Sequence, residues 1–255
     1  MRSLAVLLAG CGRLGFEAGC QPGDAPTAPP DADPTSFCAI AQTAPSTVHI
    51  RGTAFRYTSF DNERMPLANA MIAAMAASTT SAADGAYDLA IDTGGAPLVP
   101  LVVRYTFGTD FATDVHYDIP VERDITGPNG DVLSLGDGPI WNAGQMNSIY
   151  SAASLVRDPT RGFISVAVRD CVGAPIAGAK VDVEPLPEAV VYQADDGRPA
   201  DVGETQPRYG QAFAMNAQAG PTTIHVTHPA HTFADVSITV LPGAVNTLVV
   251  ARTME

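Results

Sequence analysis

Residues 161–184 read RGFISVAVRDCVGAPIAGAKVDVE, and the grammar of this stretch decides the fold. Ile164, Val166 and Val168 alternate with Ser165, Ala167 and Arg169, the two-residue period of a half-buried strand. Asp170, Gly173 and Pro175 then interrupt the run, as turn residues do. Beyond them Ala179, Val181 and Val183 alternate with Lys180 and Asp182, which gives a second strand.

An earlier stretch repeats this grammar. Val48 and Ile50 start a strand, with Gly52 just beyond. Pro66, Leu67, Asn69 and Ala70 stand where Pro175, Ile176, Gly178 and Ala179 stand later. A glycine-aromatic strand follows in each half: Gly85-Ala86-Tyr87 in the first, Gly210-Gln211-Ala212-Phe213 in the second. Each half continues into an apolar-rich strand, over 101–105 and 222–227, and a closing strand. Self-similarity of this kind predicts two copies of one all-β unit.

Bulk properties agree. A chain of 255 residues accommodates two domains of about 100 residues each plus an N-terminal extension. Domains of that size bury an ordinary core without metals or disulfides. The chain is 46% hydrophobic and 16% charged, with 23 Gly and 21 Pro, which fits short strands and many turns. A net charge of −13 argues against nucleic acid as a partner, because phosphate binding needs clustered Lys and Arg.

The N-terminus reads as an export signal: Arg2 supplies a positive charge, and residues 4–8 supply an apolar run too short to span a bilayer. Leu8-Ala9-Gly10-Cys11 resembles the lipobox of bacterial lipoproteins, which implies cleavage before Cys11 and its lipidation. The implied location is exported, lipid-anchored to the outer membrane or in the periplasm. Cys20, Cys38 and Cys171 then remain, and an exported protein can oxidise them. Sequence leaves the pairing open between Cys20–Cys38 and Cys38–Cys171.

Four segments follow. Residues 1–36 comprise the signal and a tether, QPGDAPTAPPDADP over 21–34, with almost nothing to bury. Residues 37–127 form the first β-sandwich, with strands expected over 47–56, 68–75, 87–92, 98–105 and 115–122. Residues 128–160 form a linker. Within it Met146, Ile149, Tyr150 and Ala153 fall at helical spacing, which predicts a helix over 141–156 ended by Asp158-Pro159, with Trp141 as a packing anchor. Residues 161–255 form the second β-sandwich, with strands expected over 163–169, 179–184, 190–193, 210–216, 222–227, 234–241 and 247–252.

Both halves resemble the carboxypeptidase regulatory-like, or transthyretin-like, β-sandwich domain of bacterial surface proteins. The second copy carries Asp170-x-x-Gly173-x-Pro175-Ile176-x-Gly178-Ala179-x-Val181, then Thr205, Gly210-x-x-Phe213, and Gly220 before Ile224-x-Val226. The first carries Pro66-Leu67-x-x-Ala70, Thr80, Asp84-Gly85-x-Tyr87, and Leu101-x-Val103, with a long polar insert over 58–65 where the family has a tight turn. The resemblance implies an all-β fold of two tandem Ig-like, transthyretin-like sandwiches joined by a linker with a short helix. It implies nothing about activity, because function lives in sites rather than folds.

Candidate chemistry is sparse. His225, His228 and His231 in HVTHPAH are metal-ligand types in close sequence, with Asp235 as a fourth donor. Strand phase turns His225 away from the face of Ile224 and Val226, and Pro229 bends the chain, so surface strand-end residues are the expected reading. Intradiol ring-cleaving dioxygenases have a related fold and hold ferric iron with two tyrosines and two histidines. Tyr192 and Tyr209 precede His225 and His228 in that order, but with His-x-x-His in place of that family's His-x-His. Asp124, Asn129, Asp131 and Asp137 lie in Gly-rich loops without EF-hand spacing. Tyr105, Phe107, Phe111 and Tyr117 offer an aromatic face for a glycan or peptide, with core packing as the expected role. No Gly-x-Ser-x-Gly elbow is present.

These residues predict a non-enzymatic, lipid-anchored envelope protein with no cofactor. Its partners would be the membrane, through the lipid, and a protein or glycan. The alternatives are a carbohydrate-binding accessory module and a metal-dependent enzyme using Tyr192 and the three histidines.

Overall fold

The computed structural model describes residues 46–57, 64–92, 94, 101–110, 112–119, 125–126, 132–134, 138–170 and 173–253. The first unit contains β1 (Thr47–Tyr57), β2 (Arg64–Pro66), β3 (Met71–Ala74), β4 (Ala77–Thr80), β5 (Ala86–Asp92), β6 (Leu101–Thr106), β7 (Asp114–Ile119), β8 (Ile125–Thr126) and β9 (Val132–Ser134). Next come β10 (Gly138–Pro139) and the helix α1 (Ala143–Ala152). The second unit contains β11 (Gly162–Arg169), β12 (Lys180–Glu184), β13 (Ala189–Gln193), β14 (Pro199–Ala200), β15 (Gln211–Ala217), β16 (Gly220–Thr227), β17 (Val236–Val240) and β18 (Val245–Ala251). The all-β class expected from the alternation is the class observed.

The two units are copies. In each, a first strand pairs antiparallel with the glycine-led strand, β1 with β5 and β11 with β15. On its other side it pairs parallel with a closing strand, β1 with β9 and β11 with β18. The facing sheet is β3-β6-β7 in one unit and β12-β16-β17 in the other, all antiparallel.

One hydrogen-bonded lock joins the two sheets in each unit. Leu67 N–H donates to Ala54 O at 2.8 Å, and Ile176 N–H donates to Val168 O at 3.1 Å. The Ser81 hydroxyl donates to Leu67 O and accepts from Ala70 N–H, at 2.5 and 2.9 Å. The Thr205 hydroxyl does the same with Ile176 O and Ala179 N–H, at 2.7 and 2.9 Å. Asn69 and Gly178 take left-handed φ of 62° and 80° at equivalent places. Gly85 and Gly210 are required twice over. Both have positive φ, and a Cβ would lie 2.5 Å from Ala54 O or 2.8 Å from Val168 O. The sequence motif placed Thr80 opposite Thr205; the hydroxyl that matches belongs to Ser81, one residue on.

Each unit has its own core. Val48, Ile50, Ile72, Leu89, Val103 and Tyr105 centre the first. Ile164, Val166, Val181, Ile224, Leu248 and Val250 centre the second. The units also share a sheet. β7 pairs parallel with β18, Asp114 opposite Val245 and His116 opposite Thr247. This seam fuses the facing sheet of one unit to the first sheet of the other, as nine strands in the order β14-β13-β15-β11-β18-β7-β6-β3-β4. The linker therefore is not the only connection between the units.

A third cluster covers the junction. Phe163, Val191, Phe213, Met215 and Val245 project from the outer face of the second unit against Met146, Ile149 and Tyr150 of α1, joined by Ala112. β11 and β15 are buried along their whole length, where alternation alone predicted a half-buried strand for β11; this cluster accounts for the burial of Phe163, Phe213 and Met215. Asn142 caps α1 in a reciprocal capping box with Gln145, whose side chain also donates to Tyr57 O. Trp141 packs at the edge of this cluster with its ring 5.1 Å from Tyr57, the anchoring position expected of it. The helix is shorter than the expected 141–156 and does not run to Asp158-Pro159. Ser154 turns left-handed at φ 60°, and Leu155 N–H returns to Tyr150 O at 2.9 Å. Similarly the strand expected over 68–75 is only Met71–Ala74, because Met75 takes φ 52° and reverses the chain into β4.

The duplicated lock yields a paired prediction. Ser81→Ala and Thr205→Val each orphan a buried N–H and a buried carbonyl, so each is expected to cost about 1–3 kcal/mol in urea denaturation. Stability unchanged in either variant would show that the lock does not hold that unit.

Candidate functional site

β16 carries the histidine motif, and its pleat sets the side chains apart. Ile224 and Val226 point into the second core, while His225 lies outside, opposite Asp182 on β12. His225 Nδ1 is 2.8 Å from Asp235 Oδ1, an exposed pair in which the Asp235 side chain is 64% accessible. Past the strand, Pro229 and Ala230 form a reversal that pairs His228 with His231. Ala230 N–H donates to His228 Nδ1 at 3.0 Å, so the ring proton sits on Nε2, which donates to Ala177 O at 3.0 Å. Both nitrogens of His228 are thus engaged with backbone. Its ring stacks on that of His231, with centroids 4.6 Å apart and planes inclined by 18°. A shallow, open cleft adjoins this turn, lined by Gly178, Lys180, Glu204, Thr227, His228 and Pro229.

Tyr192 is elsewhere in role. It is buried in the second core, and its hydroxyl accepts from Val181 N–H at 3.0 Å. Burial pushes the phenol upward in pKa, against the opposing effect of that hydrogen bond. Tyr209 contributes its carbonyl to Arg169 and its ring to Arg208. The fold therefore brings His228 and His231 together, leaves His225 with Asp235, and uses Tyr192 to cap a strand. Among the described residues no three His, Cys, Asp or Glu side chains gather as a metal site.

The aromatic face divides similarly. Tyr105 is 1% exposed and its hydroxyl lies 3.0 Å from that of Tyr87, linking the two sheets of the first unit. Phe107 packs against the same core. Cys11, Cys20, Cys38, Cys171, Phe111, Asp124, Asn129, Asp131, Asp137 and the side chain of Tyr117 lie outside the described residues.

Three polar positions escaped the sequence reading. Asp114 is wholly buried at the seam, with Oδ1 accepting from the Thr247 hydroxyl at 3.0 Å and Oδ2 lying 3.1 Å from His116 Nε2. β7 reads Asp114-Val115-His116-Tyr117-Asp118-Ile119, so Asp114 shares its phase with His116 and Asp118, and nothing in that alternation sets it apart from an outward polar residue. Asn216, buried at φ 48°, donates through Nδ2 to Val156 O and Glu188 Oε2 and accepts from Asp158 N–H, so it ties the exit of α1 to β15. The guanidinium of Arg169 donates to Tyr209 O at 2.6 Å and Val168 O at 3.2 Å, and its burial pulls its pKa down to about 10.

No protein family matches the chain, and no curated protein matches it in sequence. Among solved structures it is similar to the shaft pilin SpaA of Lactobacillus rhamnosus GG, at 10% identity and TM-score 0.25, over 82% of this chain and 99% of that one. It is similar also to the minor pilin of Streptococcus agalactiae, at 8% identity and TM-score 0.26, over 82% and 96% of the two chains. The TIE protein of Bacillus anthracis aligns at 9% identity and TM-score 0.24, over 81% of this chain; the chain spans 34% of that protein. At such TM-scores neither arrangement nor activity carries over.

Replacing Tyr192 by Phe is expected to lower stability by about 1–2 kcal/mol, because the buried Val181 N–H loses its acceptor. Metal content, measured by mass spectrometry on purified protein, should be the same in wild type, Tyr192→Phe and His225→Ala. A stoichiometric metal lost with either substitution would instead establish the metal-enzyme reading.

Proposed function

We propose that this chain is a non-catalytic, lipid-anchored envelope protein whose two fused sandwich units act as one displayed module, in a structural role or in binding a protein or glycan. The observation that carries this reading is the fusion itself. The nine-stranded sheet and the α1 cluster bind the units into a single body, which suits a module that holds a position or presents a face. The polar side chains singled out in the sequence also have structural work: Tyr192 caps β12, His228 bonds to Ala177 O, and Thr205 locks two sheets.

The anchor rests on Leu8-Ala9-Gly10-Cys11 and on the Pro- and Asp-rich tether after it. Among the described residues no helix is long and apolar enough to cross a membrane. This reading places the attachment in an acyl chain at Cys11. A glycan-binding role would use faces other than Tyr105, whose ring is inside the first core.

Metabolic labelling with a palmitate analogue tests the anchor. Wild type is expected to incorporate label and fractionate with membranes, and Cys11→Ala to lose both. Equal labelling of the two proteins would reject lipidation at Cys11 and leave a freely exported module.

A further inference from the structure

A polar cluster centred on the buried Asp114 lies at the seam. Asp114 on β7 and Thr247 on β18 belong to different units, and their 3.0 Å hydrogen bond crosses between them. His116 occupies the second carboxylate oxygen, and its ring is tilted by 57° against that of Tyr105, with centroids 4.9 Å apart. Tyr105 in turn meets Tyr87 of the opposite sheet. From the other side, β18 and α1 present no acidic or basic side chain to this cluster.

We propose that Asp114, His116 and Thr247 form a clasp that sets the register of the two units against each other and couples their motion. A carboxylate with no solvent access must have its lone pairs satisfied within the protein. On Asp114, one oxygen is satisfied by its own strand through His116. The other is satisfied across the seam, and only while β18 lies with Thr247 beside His116. A shift of β18 by one residue would carry the hydroxyl to the other face of the sheet and leave Oδ1 bare. Apolar contacts between Phe163, Val245 and α1 favour closure without demanding one register; the buried polar group supplies that demand. Opening the clasp would free the units to move about the linker while each kept its own core, lock and ladders.

Amide hydrogen exchange on the full chain tests this. Val245 N–H donates to Thr113 O across the seam, so it reports seam opening. The β3–β6 and β12–β16 ladders report the units themselves. Thr247→Val, which keeps shape and removes the donor, is expected to raise exchange at Val245 about tenfold or more, with little change in the two ladders. Thr247→Ser, which keeps the hydroxyl, should restore slow exchange. Unchanged exchange at Val245 in Thr247→Val would overturn the clasp. So would an equal rise in all three places, which would make the cluster an ordinary contributor to global stability.

Discussion

The parallel pairing of β7 with β18 is the constraint on which the rest of the arrangement depends. Without it the outer face of the second unit's first sheet, with Phe163, Val191, Phe213, Met215 and Val245, would be an exposed apolar surface. With it, that face abuts the first unit, and Ala112 and Trp141 close over its edge. α1 then has a floor to pack on. A ten-residue helix is marginal alone in water, so its existence follows from Met146, Ile149 and Tyr150 finding that floor. The capping box fixes where it starts, and Gln145 bonded to Tyr57 O fixes which way it points from β1.

Strand edges are handled unit by unit. β18, the closing strand of the second unit, has its outer edge taken by β7, and β9 in the first unit has its outer edge taken by β8. β12 is shielded by the Tyr192 hydroxyl on Val181 N–H and by outward Lys180, Asp182 and Glu184. The nine-stranded sheet ends on β14, two residues long and carrying Pro199, which cannot donate a ladder hydrogen bond. Tyr192 is thus better understood through what it does to an edge than through what it might ligate.

Much of the fold was legible because period and turn chemistry are local. Ile164, Val166 and Val168 announce β11, and the Pro-Leu and Pro-Ile motifs announce the duplicated crossing, down to left-handed Asn69 and Gly178. The helix was legible from Met146, Ile149 and Tyr150, but its end was not, since Ser154 at φ 60° gives no compositional warning. What could not be read was anything that depends on both units at once. Phe163 and Met215 look like ordinary strand residues until the face they occupy is known. Asp114 and Thr247 lie 133 residues apart and meet only through the seam. The histidines illustrate the converse: HVTHPAH is conspicuous as a string, yet the pleat leaves His225 with Asp235 while the reversal at Pro229 stacks His228 on His231.

The copies differ most where their outer faces differ, and that difference fixes the order of the module. The outer face of β1 and β5 carries His49, Arg51 and Asp88, with Asp88 bonded to both bases at 2.8 and 2.6 Å. Desolvation of Asp88 acts against ionisation, but those two partners outweigh it and hold its carboxyl below the ordinary range. Such a face tolerates water and gains nothing by being covered. The equivalent face of β11 and β15 is apolar around Phe163, Phe213 and Met215, which α1 covers, and polar beyond, where Gln211 donates to Ser165. α1 therefore packs on this face and not on β1–β5, although both units have the same lock. The two scaffolds share the lock and the pairings of the first strand, but β1 also pairs with β2 and β10, and β15 also pairs with β13. The outward residues distinguish the two: charged on β1–β5, and apolar around Phe163, Phe213 and Met215 where α1 packs.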